Sequence, residues 1–432
     1  MRFKIETFLF NALMFTLPWI GLGIVKTLTG VDTGAGFQVS YFLAALLLVL
    51  NIKKVFKKSY ARILVSAIII LGAGLFIQPG IVDYSSALSR YFKQFIQLLI
   101  MIGITMIPFF YYRKTGSSCF NWLAYGLLFQ FGYSILQTMA FNGWLPWFDY
   151  LEMIFTSNPS ILSGSEELVI GSTMSGIPRI RGTACEPLLL GNYLVMVVPW
   201  LIIQPWRRSI RFTLLAIGVL MLMLTWSRGA WLGAAAAAMT ALVLLKHARI
   251  LPRISFKSFL PVLGIAIPVL VLVSFIAPIE TLYARLLQTF DTTDWSNLTR
   301  LYSMQAAWRA FLLSPVVGIG WGQFAFHFDI LVDPLGLQSQ FTWPVVNNFP
   351  LKILAETGLF GFGLFVFGLA KVVQKTFLRL THDSRNSQLQ IVVASSSFAG
   401  VFVQMLTFSQ YNVPHIWVAL GLLLVLLYRG EQ

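Results

Sequence analysis

Apolar runs recur from one end of the chain to the other, each close to the roughly 20 residues a helix needs to cross a hydrocarbon core of about 30 Å. The expected spans are 7–27, 37–52, 61–78, 93–112, 119–138, 187–203, 210–226, 229–246, 259–277, 352–371, 390–409 and 414–428. This pattern predicts an all-α, polytopic membrane helical bundle of about twelve transmembrane helices, forming a single membrane domain over 1–432. No small-residue cleavage site follows the first run, so it is expected to remain as an anchor.

Most connecting segments are brief, but 139–186 and 278–351 are far too long to be simple connectors. In the first, Phe148–Phe155 has the pattern of an amphipathic turn or two at the interface. In the second, Asn297 is expected to cap a helix running to about Leu312, with Leu301, Met304, Trp308 and Phe311 at helical spacing on its packed side. Ser314-Pro315 ends that helix. The glycines of 318–322 then allow backbone to approach another group closely. No internal repeat or separate soluble domain is visible.

The chain is 57% hydrophobic and only 11% charged, which places it in a bilayer rather than among soluble domains. A formal charge of +15 would point to nucleic acid in a soluble protein, but the distribution of charge removes that reading. With the N-terminus inside, the internal segments hold 21 of the 31 Lys and Arg, while 13 of the 16 acidic residues fall outside or in the membrane. This is the positive-inside asymmetry, and it predicts a multi-pass protein with both termini cytoplasmic and both long segments external. Cys119 and Cys185 are expected not to pair. The four histidines make no grouping with Cys suited to zinc.

Candidate chemistry gathers in the long segments and at their edges. Arg228, in Ser227-Arg-Gly-Ala-Trp-Leu-Gly233, sits on the side where positive charge is disfavoured, between two apolar runs. Arg300 and Arg309 lie on opposite faces of the expected external helix. Arg300 shares a face with Met304, Ala307 and Phe311 and is expected to point into packed protein, while Arg309 is expected to be solvated. Arginine's planar fork suits a diphosphate, and two converging arginines can stabilise a departing pyrophosphate with no bound metal or other cofactor expected.

Arg179 and Arg181 precede Glu186-Pro187 at the sixth span. Two readings of Glu186 stay open: a helix-start carboxylate favoured by the dipole, or a base beside an external cavity. Glu356, inside the outer end of the tenth span, needs a partner, and one of the arginines is expected to supply it. His327, His415 and Asp333 are further ionisable candidates, although His415 is equally suited to a hydrogen bond within the bundle.

Four features together resemble the bacterial O-antigen polymerase and O-antigen ligase superfamily. They are Arg181-Gly with Glu186-Pro187, Ser227-Arg-Gly-Ala-Trp231, Arg300 with Trp308 and Gly318-Ile-Gly-Trp-Gly-Gln-Phe324, and Asn347-Asn-Phe-Pro-Leu-Lys-Ile-Leu-Ala-Glu-Thr-Gly358. The resemblance implies a glycosyltransferase of the inner membrane, acting at its outer face on a glycan carried by undecaprenyl diphosphate. Arg228 and Arg300 match the family's diphosphate-contacting arginines. Family ligases carry a histidine before the tenth span where this chain has Asn347 and Asn348. Asparagine orients a hydroxyl but does not take its proton at neutral pH, so a base would come from Glu186, His327 or His415.

That departure favours a polymerase of O-antigen, capsule or exopolysaccharide repeat units over a ligase acting on lipid A core. A chain-length regulator would be a natural membrane partner for a polymerase. A lipid-linked oligosaccharide flippase is the alternative of another class, and it would place ionisable residues along the middle of the spans.

Overall fold

The computed structural model describes residues 2–24, 38–55, 84–115, 118–156, 179–250, 264, 271, 279–289, 291–337 and 343–428. Its regular elements are helical: α1 (Arg2–Thr16), α2 (Val39–Leu50), α3 (Tyr84–Thr115), α4 (Ser118–Phe141), α5 (Phe148–Phe155), α6 (Pro187–Ile202) and α7 (Arg208–Leu224) come first. They are followed by α8 (Arg228–His247), α9 (Ile279–Leu287), α10 (Trp295–Leu313), α11 (Phe349–His382), α12 (Arg385–Gln404) and α13 (Pro414–Leu427). The expected spans 61–78 and 259–277 lie outside the described residues, apart from Gly264 and Val271. Each of the other expected spans overlaps a helix. Among the described residues three stretches, Ser85–Tyr112, Arg228–His247 and Phe349–His382, are long and apolar enough to cross a membrane.

The first span differs from expectation, because α1 ends at Thr16 rather than continuing to 27. Pro18 disfavours helical geometry at Leu17 and has no amide to continue the helix. The non-helical stretch after it docks on α5, with the Gly23 amide donating to the Ile154 carbonyl at 3.0 Å. A side chain at Gly23 would lie 2.3 Å from the carbonyl oxygens of Met153 and Thr156.

One apolar core runs through α1, α3, α4, α6, α12 and α13. Across it α8 packs along α12 at two glycines: a Cβ on Gly233 would lie 2.7 Å from the Gly400 carbonyl oxygen, and one on Gly400 would lie 2.6 Å from that of Gly233. Close backbone approach through small residues is a recurrent way to associate helices in lipid. A second, smaller core joins Ala306, Ala307, Ala310 and Phe311 of α10 to Ile319, Phe324 and Ala355. The packed side of α10 is therefore its small-residue side. Leu301 and Trp308, expected to pack, are 43% and 50% exposed.

The helix α11 breaks at Gly358, whose φ of 64° is open to glycine at little cost. The break leaves backbone groups needing partners, and the chain over 315–320 supplies them. Ile319 and Gly320 donate to the carbonyls of Ala355 and Glu356, each at 3.0 Å, and Leu359 and Phe360 donate to Pro315 and Val316 at 2.8 and 3.1 Å. The close approach expected of the glycine-rich turn is realised here, since a Cβ on Gly318 would sit 2.3 Å from the Glu356 carbonyl carbon.

Candidate functional site

Three helices begin at the wall of one cavity of about 520 Å³. Glu186 precedes α6, Ser227 precedes α8 and accepts from the Ala230 amide at 3.3 Å, and Asp294 precedes α10 and accepts from the Asn297 amide at 3.1 Å. The cap of α10 is thus Asp294 and not Asn297, whose side-chain amide instead donates to the carbonyls of Gln288 and Asp291, at 2.8 Å each. Helix N-termini carry partial positive charge and unpaired N–H groups, so their convergence favours an anion.

Five arginines line the same cavity: Arg179, Arg181, Arg228, Arg285 and Arg300. Two are neutralised from behind. Arg181 forms an ion pair with Glu152 of α5, which also accepts from the Tyr133 hydroxyl at 3.0 Å and the Gln137 amide at 2.9 Å. Arg228 pairs with Asp294 at 2.9 Å and donates to the Gln288 carbonyl. The other three have no carboxylate within ion-pair distance among the described residues.

Those three are held by neutral oxygens. Arg179 donates to the Thr225 carbonyl at 3.1 Å, and Arg285 to the Gln288 side chain at 2.8 Å. Arg300 donates to the Thr407 carbonyl at 3.2 Å and the Ser296 hydroxyl at 2.7 Å. Burial, and then the neighbouring Arg285, bring Arg179 down to about 10; burial and Arg228 lower Arg285 and Arg300. All remain cationic at neutral pH. Crowding of uncompensated like charge is costly, and an entering anion would relieve it.

The turn that presents Arg228 is strained. Trp226 is fully buried with a φ of 50°, a left-handed conformation that costs a bulky residue about 1–3 kcal/mol. Its carbonyl accepts from Arg285 at 3.4 Å, so the turn connects two of the cavity's cations.

Glu186 is the one carboxylate in the cavity wall among the described residues. Burial raises its pKa above the usual carboxylate range, opposed by Arg179. The other expected site residues lie elsewhere. Glu356 is fully buried against Lys352 at 2.6 Å and accepts from the Gly322 amide at 2.9 Å; its partner is this lysine one helical turn away and not an arginine. Asn348 caps α11, accepting from the Leu351 amide at 2.9 Å and donating to the Leu406 carbonyl at 3.1 Å, while the Asn347 amide donates to Ser303 at 3.1 Å.

His415 lies inside the bundle with Nε2 2.7 Å from Asn192 Oδ1. His327 ends a short helical turn at Phe324–His327 away from the cavity, and burial lowers its pKa. Asp333 accepts from the Leu337 amide at 2.8 Å, and Arg309 pairs with Asp329 at the surface. Arg285 was not singled out from sequence, although the expected topology puts it, like Arg228, on the side where cations are disfavoured.

Helices of spanning length, and a cavity with surplus positive charge where three helices begin, are the features of a membrane protein with a cavity suited to an anion. Residues 212–366 match the family model described as O-antigen ligase. This match covers Arg228, Arg285, Arg300 and Glu356, so that region is similar to the O-antigen ligase family. No curated protein matches the chain.

Proposed function

We propose that the protein is a glycosyltransferase that polymerises oligosaccharide repeat units carried on undecaprenyl diphosphate, at the outer face of the inner membrane. The observation that carries this reading is the meeting of Arg179, Arg285 and Arg300, without carboxylate partners, with Arg228 and three helix starts around one cavity. In this reading the arginines hold the donor's diphosphate, which gains a negative charge as the glycosyl bond breaks. Donors already in place for that charge lower the barrier without reorganising.

The acceptor hydroxyl oxygen attacks the anomeric carbon, the bond from that carbon to the phosphate oxygen breaks, and the electron pair leaves with the lipid diphosphate. The hydroxyl proton goes to Glu186, whose raised pKa brings its proton affinity nearer to neutral pH, where a general base works best. Both termini are cytoplasmic in this reading, the chain forms one membrane domain, and a chain-length regulator is its membrane partner.

The description of the matched family as a ligase favours a second reading, in which the acceptor is lipid A core or another glycan. Purified protein supplied only with lipid-linked repeat units separates the two. Polymerisation yields a ladder of lengthened chains on a gel. No lengthening with repeat units alone, together with transfer once lipid A core is added, overturns the polymerase reading in favour of ligase.

A further inference from the structure

A second cavity, of about 160 Å³, opens beside the first. One stretch of chain between α12 and α13 serves both: Thr407 lines the arginine cavity, and Ser409 to Asn412 line the smaller one. Thr407 and Ser409 are separated by at most about 7 Å of extended backbone. The walls of the smaller cavity include Arg90, Gln94 and Gln97 of α3, Lys352 and Glu356 of α11, and Tyr411.

The charges here are balanced differently. Glu356 is satisfied by Lys352 and by the amides of Gly322 and Phe324, at 2.9 and 3.4 Å, so it anchors the wall. Tyr411 donates to the Gln94 side chain at 2.8 Å, and Gln94 donates to the Gln97 carbonyl oxygen at 3.3 Å. That chain of bonds ends on the amide nitrogen of Gln97. Arg90 gives Nε to the Gly322 carbonyl at 2.9 Å and lies over the Trp343 ring at 4.1 Å.

Amide, guanidinium and hydroxyl groups around a small space, with Phe324 and Tyr411 as apolar walls, suit a neutral polyhydroxylated ring. The space is smaller than the roughly 300 Å³ at which pockets for larger ligands begin. Arg90 and Lys352 against Glu356 leave its lining one net positive charge, against four in the arginine cavity, so it is the less suited of the two to a diphosphate. We propose that this cavity receives the terminal sugar of the acceptor glycan and holds its attacking hydroxyl toward the arginine cavity, an inference that rests on the glycosyl-transfer reading above.

The test uses the full-length protein in nanodiscs and two probes: undecaprenyl diphosphate, and the repeat oligosaccharide released from its lipid by mild acid. Binding of each is measured by calorimetry, with no turnover required. Gln97→Leu removes the free amide and is expected to weaken oligosaccharide binding about 5- to 10-fold, the loss of one or two hydrogen bonds. Gln97→Trp fills the space and should abolish it. Both variants should bind undecaprenyl diphosphate within about twofold of wild type, which also reports that they are folded. With transfer measured, the KM for the free oligosaccharide should rise with kcat little changed in Gln97→Leu.

Oligosaccharide binding by Gln97→Trp equal to wild type, or none by wild type itself, overturns the acceptor cavity. Failure of the wild-type protein to bind undecaprenyl diphosphate, with oligosaccharide binding intact, overturns the donor reading instead.

Discussion

In the larger cavity three guanidinium groups have no carboxylate within ion-pair distance among the described residues, whereas in the smaller one the Lys352 ammonium and the Glu356 carboxylate are 2.6 Å apart. The same protein thus leaves positive charge unmatched in one place and cancels it in another, with a single segment, 407–412, touching both. A cancelled pair keeps a wall in shape, since removing either member strands the other in a poorly solvated place. An unmatched cluster serves no such purpose alone and gains stability only when an anion arrives. Substitutions in the first cavity should therefore register in binding and turnover, and substitutions at the pair in stability.

The largest effect tests the arginine cavity. Replacing both Arg228 and Arg300 by alanine should lower kcat/KM by at least about 10⁴-fold, given that one preorganised donor to a developing charge is worth about 10²–10³-fold. Loss of Arg228 leaves Asp294 without its partner and should lower the thermal midpoint, whereas Arg300→Ala alone should leave the midpoint unchanged. A double variant that still makes full-length polymer breaks the comparison.

On the matched side, Glu356→Gln leaves Lys352 buried without its counter-charge and should cost about 3–5 kcal/mol of stability, read from the thermal midpoint. Replacing Lys352 by methionine in the same chain should recover part of that loss. Full stability of Glu356→Gln alone would show that the pair anchors nothing.

A smaller effect concerns pH. Because the folded Glu186 holds its proton more tightly than an unfolded carboxyl, the native state binds more protons between the ordinary carboxylate range and the raised value. Stability should therefore fall as pH rises through that window, while transfer rises as the base ionises. Glu186→Gln should remove both slopes, and a pH–rate limb that survives the substitution assigns the base elsewhere. The smallest effect is expected at Arg309, whose pairing with Asp329 is half exposed: Arg309→Ala should change stability by less than about 1 kcal/mol and leave turnover unaltered.

Much of the arginine cavity was legible from charge placement. Arg228 stood out as a cation on the side expected to disfavour cations, Arg300 as a cation on the face of a helix expected to pack, and Glu186-Pro187 as a helix start. Arg285 carries the same charge signal as Arg228 and went unmarked. Lys352 lies four residues before Glu356, a spacing that joins side chains on one helix face, yet the expected partner was sought among distant arginines.

Other features depended on tertiary contacts that periodicity does not encode. The break at Gly358 exists because residues 315–320 accept and supply its hydrogen bonds. The packed side of α10 is set by Ala306, Ala307, Ala310 and Phe311 meeting Ile319, Phe324 and Ala355, and Leu301 and Trp308 of the expected pattern face outward. Asp294 and Asn297 are both good caps by residue type, and the fold chose the earlier one.

The contact of Gly233 with Gly400 carries a mechanical consequence. Gly233 lies five residues beyond Arg228 on a rigid helix, about 7.5 Å along its axis. Gly229, one residue past the arginine, is close-set through a side chain, since a Cβ there would lie 2.7 Å from the Thr407 hydroxyl. A methyl group at Gly233 would act as a wedge between α8 and α12, and α8 would carry Arg228 with it as a lever carries its tip. A misplacement of about 1 Å is enough to cost an enzyme about 10²-fold in rate. The spacing of two helix backbones therefore sets where a guanidinium stands about a turn and a half away.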